Sequence, residues 1–358
     1  MPPLGLRSRA LLDASIAGDL ALRTGLASVL GAAMLKGAAS RGGREDRKRL
    51  RFYADLADAG DAAAVFSRPR PRVRVHARSG PDIELEGCRV QRLSFRSPYR
   101  AINPWARADY ARAANNAVAV AEHWRHVTGP RRTLAVIHGF GASPVWLNAA
   151  FFALRDFFLE GWDVLLYTLP FHGSRRSARL APGGIEMFSG GMARTHEAII
   201  HAVHDFRVLL DYLERLRTPS VGVTGISLGG SVTALLAAVD DRLAFAIPNA
   251  PVVWIPSLID SWTPANALLA LAQCALGLSD DLLWRACALH SPLSYPPVLP
   301  RERLMIVCGM GDRLAPPAQG ELLWEHWGRP ALHWFAGSHV LHFGRDAYLA
   351  RMRAVMSA

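Results

Sequence analysis

Val221-Gly222-Val223-Thr224-Gly225-Ile226-Ser227-Leu228-Gly229-Gly230 decides how the rest of the chain is read. A β-type run enters this stretch, and a helical run, SVTALLAAV, leaves it at residues 231–239. Between them stands G-x-S-x-G, which places Ser227 on a sharp strand-to-helix turn. Such a turn brings the positions two before and two after the serine close together, so Gly225 and Gly229 are needed for want of side-chain room. The serine then sits over a helix N-terminus, whose unpaired N–H groups and dipole favour developing negative charge.

Working outward, β-type and helical runs alternate along the chain. Residues 89–96, Thr133–Ile137, Asp163–Tyr167, 220–224, 244–248, 304–308 and Ala331–Phe335 read as strands. Residues 107–126, 147–160, 193–216, 228–239 and 343–356 read as helices. Strands alternating with helices predict an α/β class, with a mostly parallel sheet covered on both faces.

A serine hydroxyl is a poor nucleophile near neutral pH and needs a base, itself oriented by an acid. After such a turn the acid and the histidine each follow a later strand, in that order. Asp312 stands four residues beyond the 304–308 run, and His339 four beyond Ala331–Phe335. Both therefore fall at C-terminal strand ends, the edge at which open parallel sheets place their ligands. His342 is a weaker rival base, and Asp280 and Asp281 read as exposed caps. Ile137-His138-Gly139-Phe140-Gly141 directly follows a strand in the manner of a lipase-type oxyanion loop. The N–H groups of Phe140 and Leu228 are the expected oxyanion donors, and His138 is expected to brace that loop.

Other motifs fail. His196-Glu197 with His201 resembles a metalloprotease helix, but five residues of separation turn the two rings about 140° apart. No carboxylate cluster converges on His201 and His204 or on His123 and His126, so no metal is expected. Gly309-Met310-Gly311 lacks the third glycine of a dinucleotide loop, there is no P-loop, and no cofactor is expected.

With the serine elbow, acid, histidine and oxyanion loop in this order, the chain from about residue 85 to its end resembles the α/β-hydrolase superfamily of serine hydrolases. Leu169-Pro170-Phe171-His172-Gly173-Ser174-Arg175-Arg176, with Ser189-Gly190-Gly191 before a long helix, is loosely similar to a poorly characterised abhydrolase-domain group. That group was once catalogued as a domain of unknown function. Many superfamily members carry Asp where Leu169 stands, a departure that leaves the triad untouched. An α/β-hydrolase domain is therefore expected over residues 67–358, and the stretch between the strand runs at 244–248 and 304–308 leaves room for a helical cap at about 252–302. The cap is strongly apolar, which suits an acyl pocket bordered by Trp254 and Trp262, with Trp146 and Phe171 from loops at the active edge. The expected activity is that of a carboxylesterase or lipid esterase on a small-molecule ester or lipid. Thioesterase, acyltransferase and non-catalytic scaffold readings use the same parts.

Composition bounds the remainder. The 358 residues are 51% hydrophobic and 20% charged, ample for a sizeable core. Cys88, Cys274, Cys287 and Cys308 show no paired spacing, which excludes a disulfide framework and fits a cytoplasmic protein. No eighteen uninterrupted apolar residues occur, so an ordinary membrane span is not expected. Of the net charge of +11, residues 1–132 contribute 24 basic against 12 acidic groups, while residues 133–358 are nearly neutral with 17 against 18. The basic groups are Arg except Lys36 and Lys48, and a solvated basic surface rather than nucleic-acid binding is the expectation. Residues 1–66 are expected to form a helical, basic extension. Leu12, Ile16 and Leu20, then Leu22, Leu26 and Leu30, carry helical spacing, as for a helix packed on the body or lying peripherally on a membrane. Residues 68–72 (RPRPR) read as an extended linker.

Overall fold

The computed structural model describes residues 6–39, 42–69, 73–141, 144–177 and 183–357. Residues 70–72 of the expected linker and Arg41 of the basic run lie outside the described residues.

The strands are β1 (His76–Ser79), β2 (Cys88–Arg96), β3 (Val118–His126), β4 (Thr133–Ile137), β5 (Asp163–Tyr167), β6 (Val221–Ile226), β7 (Leu243–Asn249), β8 (Met305–Gly309) and β9 (Ala331–Phe335). They form one sheet in the order β1-β2-β3-β5-β4-β6-β7-β8-β9. From β5 to β9 the neighbours run parallel, while β1, β2 and β3 form an antiparallel edge. Alternation along the central strands feeds two cores. Leu134 and Val136 of β4 join Val164 and Leu166 of β5 on one face, and Ala135 and Ile137 join Leu165 and Tyr167 on the other. A sheet apolar on both faces must be covered on both, and it is.

The helices, in chain order, are α1 (Leu6–Ala39), α2 (Gly43–Ala59), α3 (Ala62–Val65), α4 (Arg107–Ala111), α5 (Val145–Phe151), α6 (Leu154–Leu159), α7 (Ile185–Ser189), α8 (Met192–Arg215), α9 (Leu228–Val239), α10 (Ile255–Asp260), α11 (Ala265–Leu276), α12 (Asp280–Ala288), α13 (Pro317–His326) and α14 (Arg345–Met356). α8 and α9 cover one face of the sheet, and α6 and α14 the other. α10, α11 and α12 lie between β7 and β8 in the chain, over the stretch where a helical cap is expected.

Two sequence expectations change. The helix expected over 107–126 is only α4 and a short 3-10 turn, followed by β3. Its alanine-rich spacing is compatible with a helix, but nine residues pair with β2, and Trp124 Nε1 donates to Glu122 Oε1 at 2.8 Å. Residues two apart share a face in a strand and not in a helix, so tertiary pairing overrides local propensity. The helix expected over 147–160 breaks at Ala153, whose φ is 52°. The N-terminal helices lie against the cap helices, the first of the two arrangements expected for them. α1 runs along α11, and α2 packs on α12 through an Arg285–Asp58 ion pair and an Arg47 Nη1–Gly277 O bond of 3.1 Å. The stretch Arg9–Ala39 is also long and apolar enough, by length and composition, to cross a membrane, although charges interrupt it.

Candidate active site

Ser227 caps α9 at the end of β6 with φ 58° and ψ −116°, a conformation rarely open to a side-chain-bearing residue. The neighbouring glycines permit it. A Cβ on Gly225 would lie 2.5 Å from Gly229 O, and one on Gly229 would lie 2.2 Å from Ile137 O. The Ser227 N–H donates to Asn249 O of β7 at 2.9 Å, which pins the turn to the adjacent strand.

The acid and the base meet at the expected strand ends. Asp312 follows β8, and its Oδ1 accepts from the N–H groups of Leu314 (2.9 Å) and Ala315 (2.7 Å). Its Oδ2 lies 2.6 Å from His339 Nδ1. A carboxylate only accepts, so Nδ1 carries the proton and the Nε2 lone pair is left free for a serine proton. Burial disfavours the charged imidazolium, but the Asp312 charge and hydrogen bond, with a further contribution from Asp19, outweigh it. The His339 pKa is therefore raised. No hydrogen bond joins Ser227 to His339 here. Both line one cavity of about 460 Å3.

The loop expected to hold an oxyanion lies against the elbow. A Cβ on Gly139 would stand 3.4 Å from Ser227 Cβ. Phe140 and Leu228 line the same cavity, and their N–H groups find no backbone acceptor among the described residues. His138 braces the loop: its Nε2 accepts from Leu169 N at 3.1 Å, and its Nδ1 faces Gly139 O at 2.8 Å. Burial lowers its pKa to about 4, which keeps it neutral. The rival His342 precedes α14, contacts the Tyr348 hydroxyl at 3.2 Å and stays neutral, since burial lowers its pKa to about 3.

Of the residues expected around the substrate, Trp262 lines the cavity and ties the cap to the acid loop through Nε1–Leu314 O, 3.2 Å. The other three do not line it. Phe171 is 1% exposed, with its N–H held by Asn116 Oδ1 and its ring against Tyr110. Trp146 points outward, 73% exposed, while its neighbour Leu147 reaches the cavity. Trp254 turns into the core, and its backbone is held by the Gln319 side chain. The loop around Phe171 has a structural purpose: Arg175 is fully buried and bonds Tyr167, Thr168 O, Asn116 O and Asp205. Asp280 and Asp281 are exposed in the first turn of α12, but they are not its caps: Ser279 is the N-cap, its hydroxyl accepting from Leu282 N. Among the described residues no group of three or more His, Cys, Asp or Glu converges as a metal site.

Sequence reasoning missed the contribution of α1. Leu22, Leu26, Leu30 and Met34 form one wall of the cavity, opposite cap residues Ile255, Leu258 and Trp262. Asp19 of the same helix is buried and accepts hydrogen bonds from His339 N and Arg313 N. The leucine spacing was visible, but nothing in it names the surface that the helix covers.

Two acetyl xylan esterases have similar structures. The one from Paenibacillus sp. R4 has a TM-score of 0.60 and 14% identity, covering 85% of this chain and 94% of its own. The one from a Thermoanaerobacterium species has a TM-score of 0.57 and 12% identity, covering 86% and 94%. At that identity the likeness shows the fold, and the fold is that of the α/β-hydrolases. In sequence, the chain is 29% identical over 304 residues to an uncharacterized protein of Mycobacterium tuberculosis, covering 82% of this chain and 70% of that protein. No protein-family model matches.

Proposed function

We propose that this α/β-hydrolase-fold chain is a serine esterase acting on carboxylic esters with an apolar acyl group. The observation that carries the reading is the Asp312–His339 pair, 2.6 Å apart, facing the cavity in which Ser227 is held on its strained turn. Ser227 Oγ attacks the ester carbonyl carbon while His339 Nε2 takes its proton. The carbonyl oxygen becomes negative, and the N–H groups of Phe140 and Leu228 hold it; one such donor is worth about 3 kcal/mol of barrier. Asp312 keeps the imidazole oriented and offsets its charge. The tetrahedral intermediate collapses, the C–O bond to the alcohol breaks, and His339 returns the proton to the leaving oxygen. Water, deprotonated by the same base, then releases the acid and restores Ser227. Every step uses side chains and backbone of this chain.

The acyl preference rests on the cavity wall. Its lining is largely aliphatic, and its span along α1 from Leu22 to Met34 is about 18 Å at 1.5 Å per residue, far more than an acetyl group needs. The test is labelling by a fluorophosphonate probe, with Ser227→Ala and His339→Ala beside the parent, followed by p-nitrophenyl esters of graded chain length. The parent is expected to label and to favour acyl chains of several carbons, and both variants to stay unlabelled. A folded parent that neither labels nor cleaves any ester overturns the reading.

A peripheral membrane contact forms part of the same proposal. Near the cavity, Trp146, Val340 and Leu341 are more than half exposed, and Leu11, Leu20 and Val29 are exposed along α1. Scattered apolar residues are ordinary, but several close to one lipid-sized cavity favour an approach to a bilayer surface. Flotation with anionic vesicles tests it: Trp146→Ser with Leu341→Ser is expected to lose binding, and binding unchanged by both refutes the contact.

A further inference from the structure

α1 belongs to the active site through more than its leucines. One carboxylate oxygen, Asp19 Oδ2, accepts from the backbone N–H of His339 at 2.8 Å and from that of Arg313 at 3.0 Å. Arg313 follows Asp312 directly in the chain. A single atom from a helix some 300 residues away in sequence therefore clamps the loop that carries the acid to the loop that carries the base. Asp19 is 2% exposed, so this carboxylate has been withdrawn from water and both bonds are needed to offset that loss. The helix is also seated closely: a Cβ on Gly311 would lie 2.6 Å from Leu12 Cδ1 and 2.8 Å from Ile16 Cγ1. Arg23, one turn on, reaches Arg313 O at 3.5 Å.

We infer that Asp19 is a positioning residue for the hydrolytic step, holding the Asp312–His339 pair in register and presenting a second negative charge to the imidazole. The inference rests on the esterase reading, and it turns the N-terminal helix from an appendage into part of the catalytic machinery. Two consequences separate it from simple packing. Positioning fixes where Nε2 points toward Ser227, so its loss lowers kcat more than it raises KM; a misplacement of about 1 Å costs on the order of a hundredfold. The charge also favours the imidazolium, in the direction found for His339. The other groups around that ring are accounted for. On its own loop His342 is neutral, and Arg345 at the start of α14 lies beyond it. The acid loop brings Asp312 and Arg313, and α1 brings Asp19 and Arg23.

The experiment compares the full-length parent with Asp19→Asn and Asp19→Ala. Asparagine keeps an acceptor oxygen of the same reach but no charge, so most of kcat is expected to survive. The acid limb of kcat/KM is expected to move to lower pH. Alanine removes both, and kcat is expected to fall about tenfold to a hundredfold with KM little changed. Independently of activity, NMR titration of the His339 imidazole is expected to show a lower pKa in Asp19→Asn than in the parent. If Asp19→Ala does not fold, Asp19→Asn alone decides. An Asp19→Asn whose rate profile and His339 titration both superimpose on the parent overturns the inference. A parent that neither labels nor hydrolyses, yet shows the His339 shift, leaves the positioning standing and removes the esterase reading.

Discussion

Asp312→Asn is the perturbation whose outcome depends most directly on the geometry. In the parent, Oδ1 accepts two backbone N–H groups, from Leu314 and Ala315, while Oδ2 faces His339 Nδ1 at 2.6 Å. An asparagine must keep its carbonyl oxygen at the Oδ1 position, because an amide NH2 there would oppose two donors. Its NH2 is thereby aimed at Nδ1, which must become an acceptor. The imidazole proton moves to Nε2, the atom that has to take the Ser227 proton. The neutral base is then present in the wrong tautomer, and the expected loss is about 10⁴-fold in kcat, or about 5.4 kcal/mol of barrier at 1.36 kcal/mol per decade. The fold should survive, since all the hydrogen bonds at this position keep a partner. Two rates are measured: fluorophosphonate labelling and p-nitrophenyl ester turnover, with circular dichroism confirming the fold. Both should drop together, because both need the serine proton removed. A folded Asp312→Asn protein within tenfold of the parent in either rate refutes the assignment of Asp312 as the orienting acid.

Gly229→Ala puts a methyl group 2.2 Å from Ile137 O and 2.5 Å from His138 O, backbone atoms that cannot turn aside. It is expected to cost at least about 1–3 kcal/mol in a denaturant melt and to abolish labelling, and parent-like values refute the elbow geometry. Acid stability follows from buried neutral histidines. Burial, the leading cause in each case, lowers the pKa of His123, His172, His290 and His342 to about 3 and that of His138 to about 4. Between those values and about 6.5 the unfolded chain binds protons that the folded chain refuses, so stability falls with pH by about 2 kcal/mol per histidine at pH 5. His339 has the opposite sign, its contribution being complete below about 6.5 and lost as pH rises through its raised folded value. His196, His201, His204 and His333 are lowered by burial as well, so nine histidines stand against one. A much lower urea midpoint is predicted at pH 5 than at pH 7, and an equal or higher one refutes the neutral state of these rings. Leu26→Trp fills the α1 side of the cavity and is expected to reduce octanoyl-ester kcat/KM at least about tenfold while sparing acetyl esters. An equal loss on both substrates refutes the channel along α1.

The parts that the sequence made legible share a property: each is encoded locally. The elbow needs two glycines around one serine within five residues, and the strand-end positions of Asp312 and His339 follow from runs only five residues long. Fully buried central strands such as β4 and β5 are apolar at nearly every position, so their limits could be read to the residue. β3 was misread because its alanines carry little β signal, and what makes it a strand is the partner β2 lying beside it. The aromatic residues misled for a related reason. A loop at the active edge has two sides, and sequence does not say which one Phe171 or Trp146 takes.

Asp19 marks the limit most clearly. In the sequence it is an acid interrupting an apolar helical run. In the structure the interruption falls where the helix crosses the acid and base loops, and the N–H groups of Arg313 and His339 use it. Because Leu12 and Ile16 precede it against Gly311, and Leu26 and Leu30 follow it along the cavity, one helical face changes partner from the Asp312 loop to the cavity wall. That change of partner is a property of the packed molecule alone. Under the proposed esterase reading, an acyl chain pressing on Leu26 and Leu30 would bear on the helix that holds His339. Acyl length and proton transfer should accordingly be coupled, and Asp19→Ala should flatten the chain-length preference as well as slow the reaction. Retention of the full chain-length preference in that variant would show that wall and clamp act independently.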